Sequence, residues 1–170
     1  APDHVEEMIP PLDTWGRRFI VTPPVRRNPD YAGETTWYRV LAGPTGVRFS
    51  VPDTELGPGY AGSIVECSTL VRDEWVQLAA LESCAFSAQG DFFLEADGPV
   101  LIAQLFAGQE AVALDQLIAA GDPSMTIIPP IDQLRSSYLF MTPTTYAADY
   151  VTVAVPGDVD LLLDGVIVDL

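Results

Sequence analysis

The sequence predicts an all-β fold: a two-sheet, β-sandwich-like module with an internal duplication and at most one short helix. Three observations predict it. Fifteen prolines and thirteen glycines are spread along 170 residues, which leaves little room for long helices. Short β-rich runs alternate apolar and polar residues, as Val47, Phe49 and Val51 do around Arg48 and Ser50. Finally, one segment occurs twice. Ile9, Pro10, Pro11, Leu12 and Asp13 match Ile128, Pro129, Pro130, Ile131 and Asp132 at an offset of 119 residues. Without a gap, Phe19 then falls on Tyr138, Ile20 on Leu139, Val21 on Phe140 and Pro24 on Pro143. That offset is too long for a solenoid and has the size of a domain.

The elements follow in order. "TWYRVLA" (within 35–42) and "VRFSV" (47–51) read as strands joined by the turn sequence "GPTG". "GSIVECSTL" (62–70) alternates in the same way. "EWVQLAAL" (74–81) puts Val76 and Leu78 on one face and Trp75 and Gln77 on the other. "CAFSAQ" (84–89) and "DFFLEA" (91–96) come next. After a turn, "GPVLIAQLFAG" (98–108) is a near-continuous apolar run, the pattern of a central strand buried on both faces. "QEAVALDQLIAAG" (109–121) spaces Ala111, Leu114, Leu117 and Ile118 as a helix does, although a loop with one helical turn fits as well. Beyond it lie "MTIIPP", "YLFMTP" and "DYVTVAVPG". In "VDLLLDGVIVDL" (159–170), Asp164-Gly165 between apolar runs is a strong two-residue hairpin signal.

The duplication divides the chain into a first β unit, 1–121, with its Pro-rich entry, and the start of a second, homologous unit, 122–170. "WYRVLAGPTGVRFSV" and "DYVTVAVPGDVDLLL" share one plan of aromatic, strand, turn and strand. The second unit is incomplete or packs onto the first, and an unpaired edge strand would invite self-association.

The bulk properties exclude several function classes. The chain is 48% hydrophobic, enough for a substantial core. Its formal charge is −16, and all eight basic residues are arginines. Such a surface repels phosphate, so no nucleic-acid partner is expected. No run is long enough for a membrane-spanning helix, and no membrane insertion is expected. Asp3, Glu6 and Glu7 stand where a basic signal-peptide region would be; the signal of an exported protein lies outside this sequence. Arg17/Arg18 and Arg26/Arg27 read as solvated loop charges rather than an anion site.

No catalytic, cofactor or metal residues are predicted. A Ser or Cys nucleophile needs an internal histidine, and the sole histidine is His4. Asp158, Asp160 and Asp164 resemble a calcium loop, but Leu162 fills a ligand position. Asp122 and Pro123 form a turn; Ser124 replaces the histidine of a Gly-Asp-Pro-His self-cleavage motif. Asp13 and Asp132 recur at the same turn, as capping residues do. The three tryptophans and six tyrosines read mostly as packing, with a sugar-stacking platform as the alternative. Cys67 and Cys84 are 17 residues apart, near the ends of strands able to pair as a hairpin, and a disulfide is expected. Two buried thiols are the alternative.

"VEEMIPPLDTWGRRFIVTPP", "GPVLIAQLF" and "GDPSMTIIPPIDQLRSSYLFMTP" resemble the amino-terminal domain of IgGFc-binding protein and its bacterial relatives. The resemblance covers nearly the whole chain and is weakest over 53–90. It implies a largely β module of large secreted or surface-exposed proteins, one of which is associated with the Fc part of IgG and with mucus. The expected function is a non-enzymatic extracellular or cell-surface adhesion module with a protein or glycan ligand. A carbohydrate-binding module of a secreted enzyme and a spacer in a surface fibre are the alternatives.

Overall fold

The longest apolar stretch of the chain becomes its organising strand. The structure, a computed structural model, describes residues 5–28, 30, 34–52, 55–60, 65–108, 112, 123–142, 144–145, 149–155, 157 and 159–168. Among them the strands are β1 (Gly16–Val21), β2 (Thr36–Ala42), β3 (Val47–Ser50), β4 (Val71–Arg72), β5 (Trp75–Leu78), β6 (Ser83–Ala88), β7 (Phe92–Phe106), β8 (Ser124–Ile128), β9 (Leu161–Leu163) and β10 (Val166–Val168). The first eight form one sheet and the last two another. The chain divides into two compact units, 1–139 and 140–170.

In the first unit, four strands lie antiparallel on β7. Along one edge, β2 pairs with its later half (Ala42 opposite Val100, Trp37 opposite Leu105). On the same edge, β3 pairs with its earlier half (Phe49 opposite Ala96). The "GPTG" turn therefore does not reverse the chain; it leaves the sheet and lets the chain resume in the same direction. Along the other edge, β8 pairs with Ile102–Phe106 and β1 with Phe92–Glu95 and Val100. β6 extends the sheet beyond β2, and β5 with β4 extends it beyond β3.

One sheet supplies both layers because β7 folds over. Tyr38 lies opposite Gln104, twelve residues along β7 from Phe92. Twelve residues of straight strand span about 40 Å. Yet the Tyr38 and Phe92 ring centroids are 4.9 Å apart, edge to face. Phe86 from β6 completes this cluster at 5.3 Å from Tyr38 and 5.6 Å from Phe92. Strand β7 therefore bends near Asp97-Gly98-Pro99, and its two halves face each other across the core. There Phe19, Phe49, Leu94, Val100 and Ile102 are all buried. The earlier half of β7 alternates buried and exposed residues, while residues 100–104 are buried without interruption. One-sided burial gives alternation and two-sided burial removes it. In that interior, burial pushes the Tyr38 hydroxyl up to about 12, although Gln104 Nε2, 3.4 Å away, pulls the other way.

Asp97 pins the bend. Its carboxylate accepts the Arg48 N–H at 2.8 Å and Arg48 Nε at 2.9 Å. Burial raises its pKa, but these hydrogen bonds and the guanidinium charge outweigh that and hold it below its ordinary value. A depressed carboxylate contributes stability above the unfolded-state pKa, near 4, and loses it as pH falls through the folded value. The pair is exposed, so its contribution is at most about 1 kcal/mol. Asp97→Asn is thus expected to flatten the fall in melting temperature below about pH 4, as acid titration by circular dichroism checks. An unchanged acid limb would remove the pinning role.

The disulfide forms. Cys67 and Cys84 are bonded, with Cα atoms 4.9 Å apart and both side chains buried. Closing a loop of this size contributes about 3 kcal/mol. The predicted hairpin does not carry it. Cys67 begins a 3₁₀ turn, Cys67–Leu70, instead of ending a strand over 62–70. The reason is local: Thr69 N–H and Oγ1 both donate to the Glu66 carbonyl, at 3.1 and 2.7 Å, and curl the chain. Among the described residues of that segment, Glu66 forms a parallel bridge to Ala85, whose N–H donates to the Val65 carbonyl at 2.9 Å.

Other expectations need correction. The separate strands read at 91–96 and 98–108 are the single strand β7, because the Asp97-Gly98-Pro99 sequence bends the strand without ending it. Residues 138–142 and 149–155, read as strands, lie outside any strand. An apolar alternation becomes a strand only where a ladder accepts its backbone groups, and in the first unit β7 does so for both β1 and β2. The helix read at 109–121 lies outside the described residues except for Val112, which is buried. In the second unit, the Asp-Gly hairpin is present: β9 and β10 pair around Asp164 (φ 50°) and Gly165 (φ 81°). Positive φ at both central residues is what a type I′ turn requires.

Candidate functional site

The two Pro-Pro segments come together. Strand β8 runs down one edge of β7 until Ile128 lies opposite Ile102. Pro129 and Pro130 have no N–H to donate, so the ladder stops there. The same edge resumes with Gly16 opposite Val100. Strands β8 and β1 thus meet end to end, and each diproline stands at the junction. Each also opens the same local structure. Pro11 (φ −53°, ψ 144°) leads into the 3₁₀ turn Leu12–Thr14, and Pro130 (φ −69°, ψ 158°) into Ile131–Gln133. The closing bonds match: Thr14 N to Pro11 O and Gln133 N to Pro130 O are both 2.9 Å. Trp15 N to Leu12 O and Leu134 N to Ile131 O are both 3.1 Å.

The turns also bind each other. Gln133 Nε2 donates to the carbonyl of Thr14, the residue matched to it by the 119-residue offset. Arg18 Nη2 lies 3.3 Å from Asp132 Oδ1, with both groups exposed. Gly16 makes the close approach feasible. A Cβ built on it would lie 2.1 Å from Pro130 Cβ.

Between the turns lies a groove of about 340 Å³. Phe19, Val100 and Ile128 give it an apolar floor, and Glu7, Met8 and Gln133 stand at its margin. Met8 is 87% exposed, so its thioether is offered to solvent. Trp15 is half-buried, with Nε1 donating to Pro10 O at 3.1 Å. Such a site offers apolar area, an indole, one carboxylate, one side-chain amide and the hydroxyls of Thr14 and Thr126. Among the described residues, no three His, Cys, Asp or Glu side chains stand together as a metal site would need.

The structure therefore brings Pro10, Pro11, Pro129, Pro130 and Asp132 into one place, with Asp13 exposed on the first turn. Pro123 is apart from them, beside Gly108, while Asp122 and His4 lie outside the described residues. Of the paired arginines, Arg18 faces Asp132 and Arg27 faces Glu34, Nε to Oε1 at 2.9 Å. Trp75 lies beneath the Arg48 guanidinium, 5.7 Å from its ring centroid. Sequence reasoning did not find Gly16 or Gln133. The gap-free repeat alignment held a signal for the second, since it sets Gln133 on Thr14.

The disulfide-clamped β sheet carries an open, apolar-floored groove, the kind of concave surface that binding modules present. The family model described as IgGFc binding protein matches residues 1–169, and the chain belongs to that family. No curated protein and no solved structure matches the chain.

Proposed function

We propose that this chain is a non-enzymatic, extracellular or cell-surface adhesion module that binds a protein partner at the groove between the two diproline turns. The carrying observation is the exposed Met8 beside the half-buried Trp15, over an apolar floor at a strand junction. A flexible thioether and an indole suit an adaptable protein contact. The family's name supports protein binding, and the disulfide supports an oxidising, external compartment. The net charge of −16 favours a neutral or basic partner surface.

The test is biolayer interferometry against immobilised secreted proteins, the IgG Fc fragment among them, run beside a glycan array. The expected result is saturable binding to protein, weakened about tenfold or more by Met8→Asp. Binding indifferent to Met8→Asp would remove the groove from the reading. Glycan binding that Trp37→Ala or Trp75→Ala abolishes would move the module to the carbohydrate-binding class.

A further inference from the structure

Residues 5–9 and β8 hold the same place in the chain: each is the five-residue stretch before a diproline and its 3₁₀ turn. Their fates differ. Strand β8 lies on β7 from Phe106 to Ile102, and Ile128 packs against the core. It enters a sheet whose other strands all precede it in sequence. Residues 5–9 lie outside any strand, with Met8 87% and Ile9 58% exposed. The place on β7 that matches them is already filled. On that edge of β7, β8 occupies Ile102–Phe106 and β1 begins at Val100.

We propose that residues 5–9 are a donor strand: they complete the sheet of a second module of this fold, lying antiparallel on its β7-like strand as Ser124–Ile128 does here. Ile9 takes the place of Ile128 and turns toward that module's core. Met8 takes the place of Ile127 on the opposite face, since successive side chains of a strand alternate. Pro10 and Pro11 then end the ladder as Pro129 and Pro130 do. Main-chain hydrogen bonds give such strand addition its affinity, and the alternating side chains give it register. The occupant is a module of this same fold because the match between the two segments runs through the diproline, the acidic residue and the turn, and β8 shows which edge such a segment fills. This inference rests on the duplication and goes beyond what the groove binds.

Two experiments on the full chain test it. In the first, Ser124→Val, Met125→Glu, Thr126→Glu and Ile127→Met give the β8 position the sequence of residues 5–9. Hydrogen exchange is read at those amides of Ile102–Phe106 that face β8. Protection within about tenfold of the parent is expected, against a loss of about a hundredfold or more when the same four positions carry glycine. Exchange as fast as in the glycine variant would overturn the proposal. In the second, Thr126→Pro with Ile127→Pro opens the position, and a labelled peptide of residues 5–14 is added. Saturable binding that Met8→Pro in the peptide abolishes is expected. A peptide of residues 122–133 that binds where the 5–14 peptide does not would also overturn it.

Discussion

Phe92→Ala is expected to destabilise the chain by about 3–5 kcal/mol in equilibrium urea unfolding. Phe92 is 5% exposed and opens β7, yet its ring meets Tyr38, which belongs to the other end of the same strand's ladder. Truncating it leaves a cavity between two halves of one sheet, in contact with Tyr38 and Phe86. Both rings sit on strands and have little freedom to collapse into that space, which places the loss toward the upper part of the range. Phe93→Ala supplies the control. Phe93 is 37% exposed on the opposite face, opposite Ile20, so its removal is expected to cost about 1 kcal/mol or less. Equal losses at the two positions would mean that the halves of β7 do not face each other.

Gly16→Ala carries the second large effect. The added methyl would sit 2.1 Å from Pro130 Cβ and within 3.4 Å of the Phe19 ring. Neither neighbour is the far end of a flexible chain. Pro130 is a ring whose backbone begins a 3₁₀ turn, and Phe19 is buried in the core. The substitution is expected to cost about 2–3 kcal/mol or more by overpacking. Its more specific consequence is separation of the two turns, which removes the Gln133–Thr14 hydrogen bond. Pairing it with Pro130→Gly, which deletes the clashing Cβ, should recover part of the loss. A double variant no more stable than Gly16→Ala alone would show that Pro130 is not what forbids a side chain at residue 16.

Much of the fold was legible because its signals are local. Alternation in 47–51 and 74–81 reports one-sided burial, and Val47, Phe49, Val76 and Leu78 are all buried. The uninterrupted run after Pro99 reports two-sided burial. Asp164-Gly165 names its own turn through the φ values it demands. The Cys67–Cys84 bond was also read correctly, but its local frame was not. The Thr69 hydroxyl competes with a ladder for backbone partners, and alternation cannot show which wins.

The candidate site was legible only in halves. The repeat marked Pro10-Pro11 and Pro129-Pro130 as one motif used twice. Nothing in either copy says that the two would touch, or that Gly16 would make the room.

By itself, then, the sequence determined the class of the chain, most of its strands, the disulfide pairing and the recurrence of a rigid entry turn. Each depends on a residue's own backbone freedom or on the period of its near neighbours. The tertiary structure alone decided that β7 is one bent strand, that β2 and β3 share an edge, and that β8 and β1 meet end to end. Those are choices among partners far apart in sequence. They are settled by which ladder accepts a strand and which contacts fill the core, and no local period encodes that.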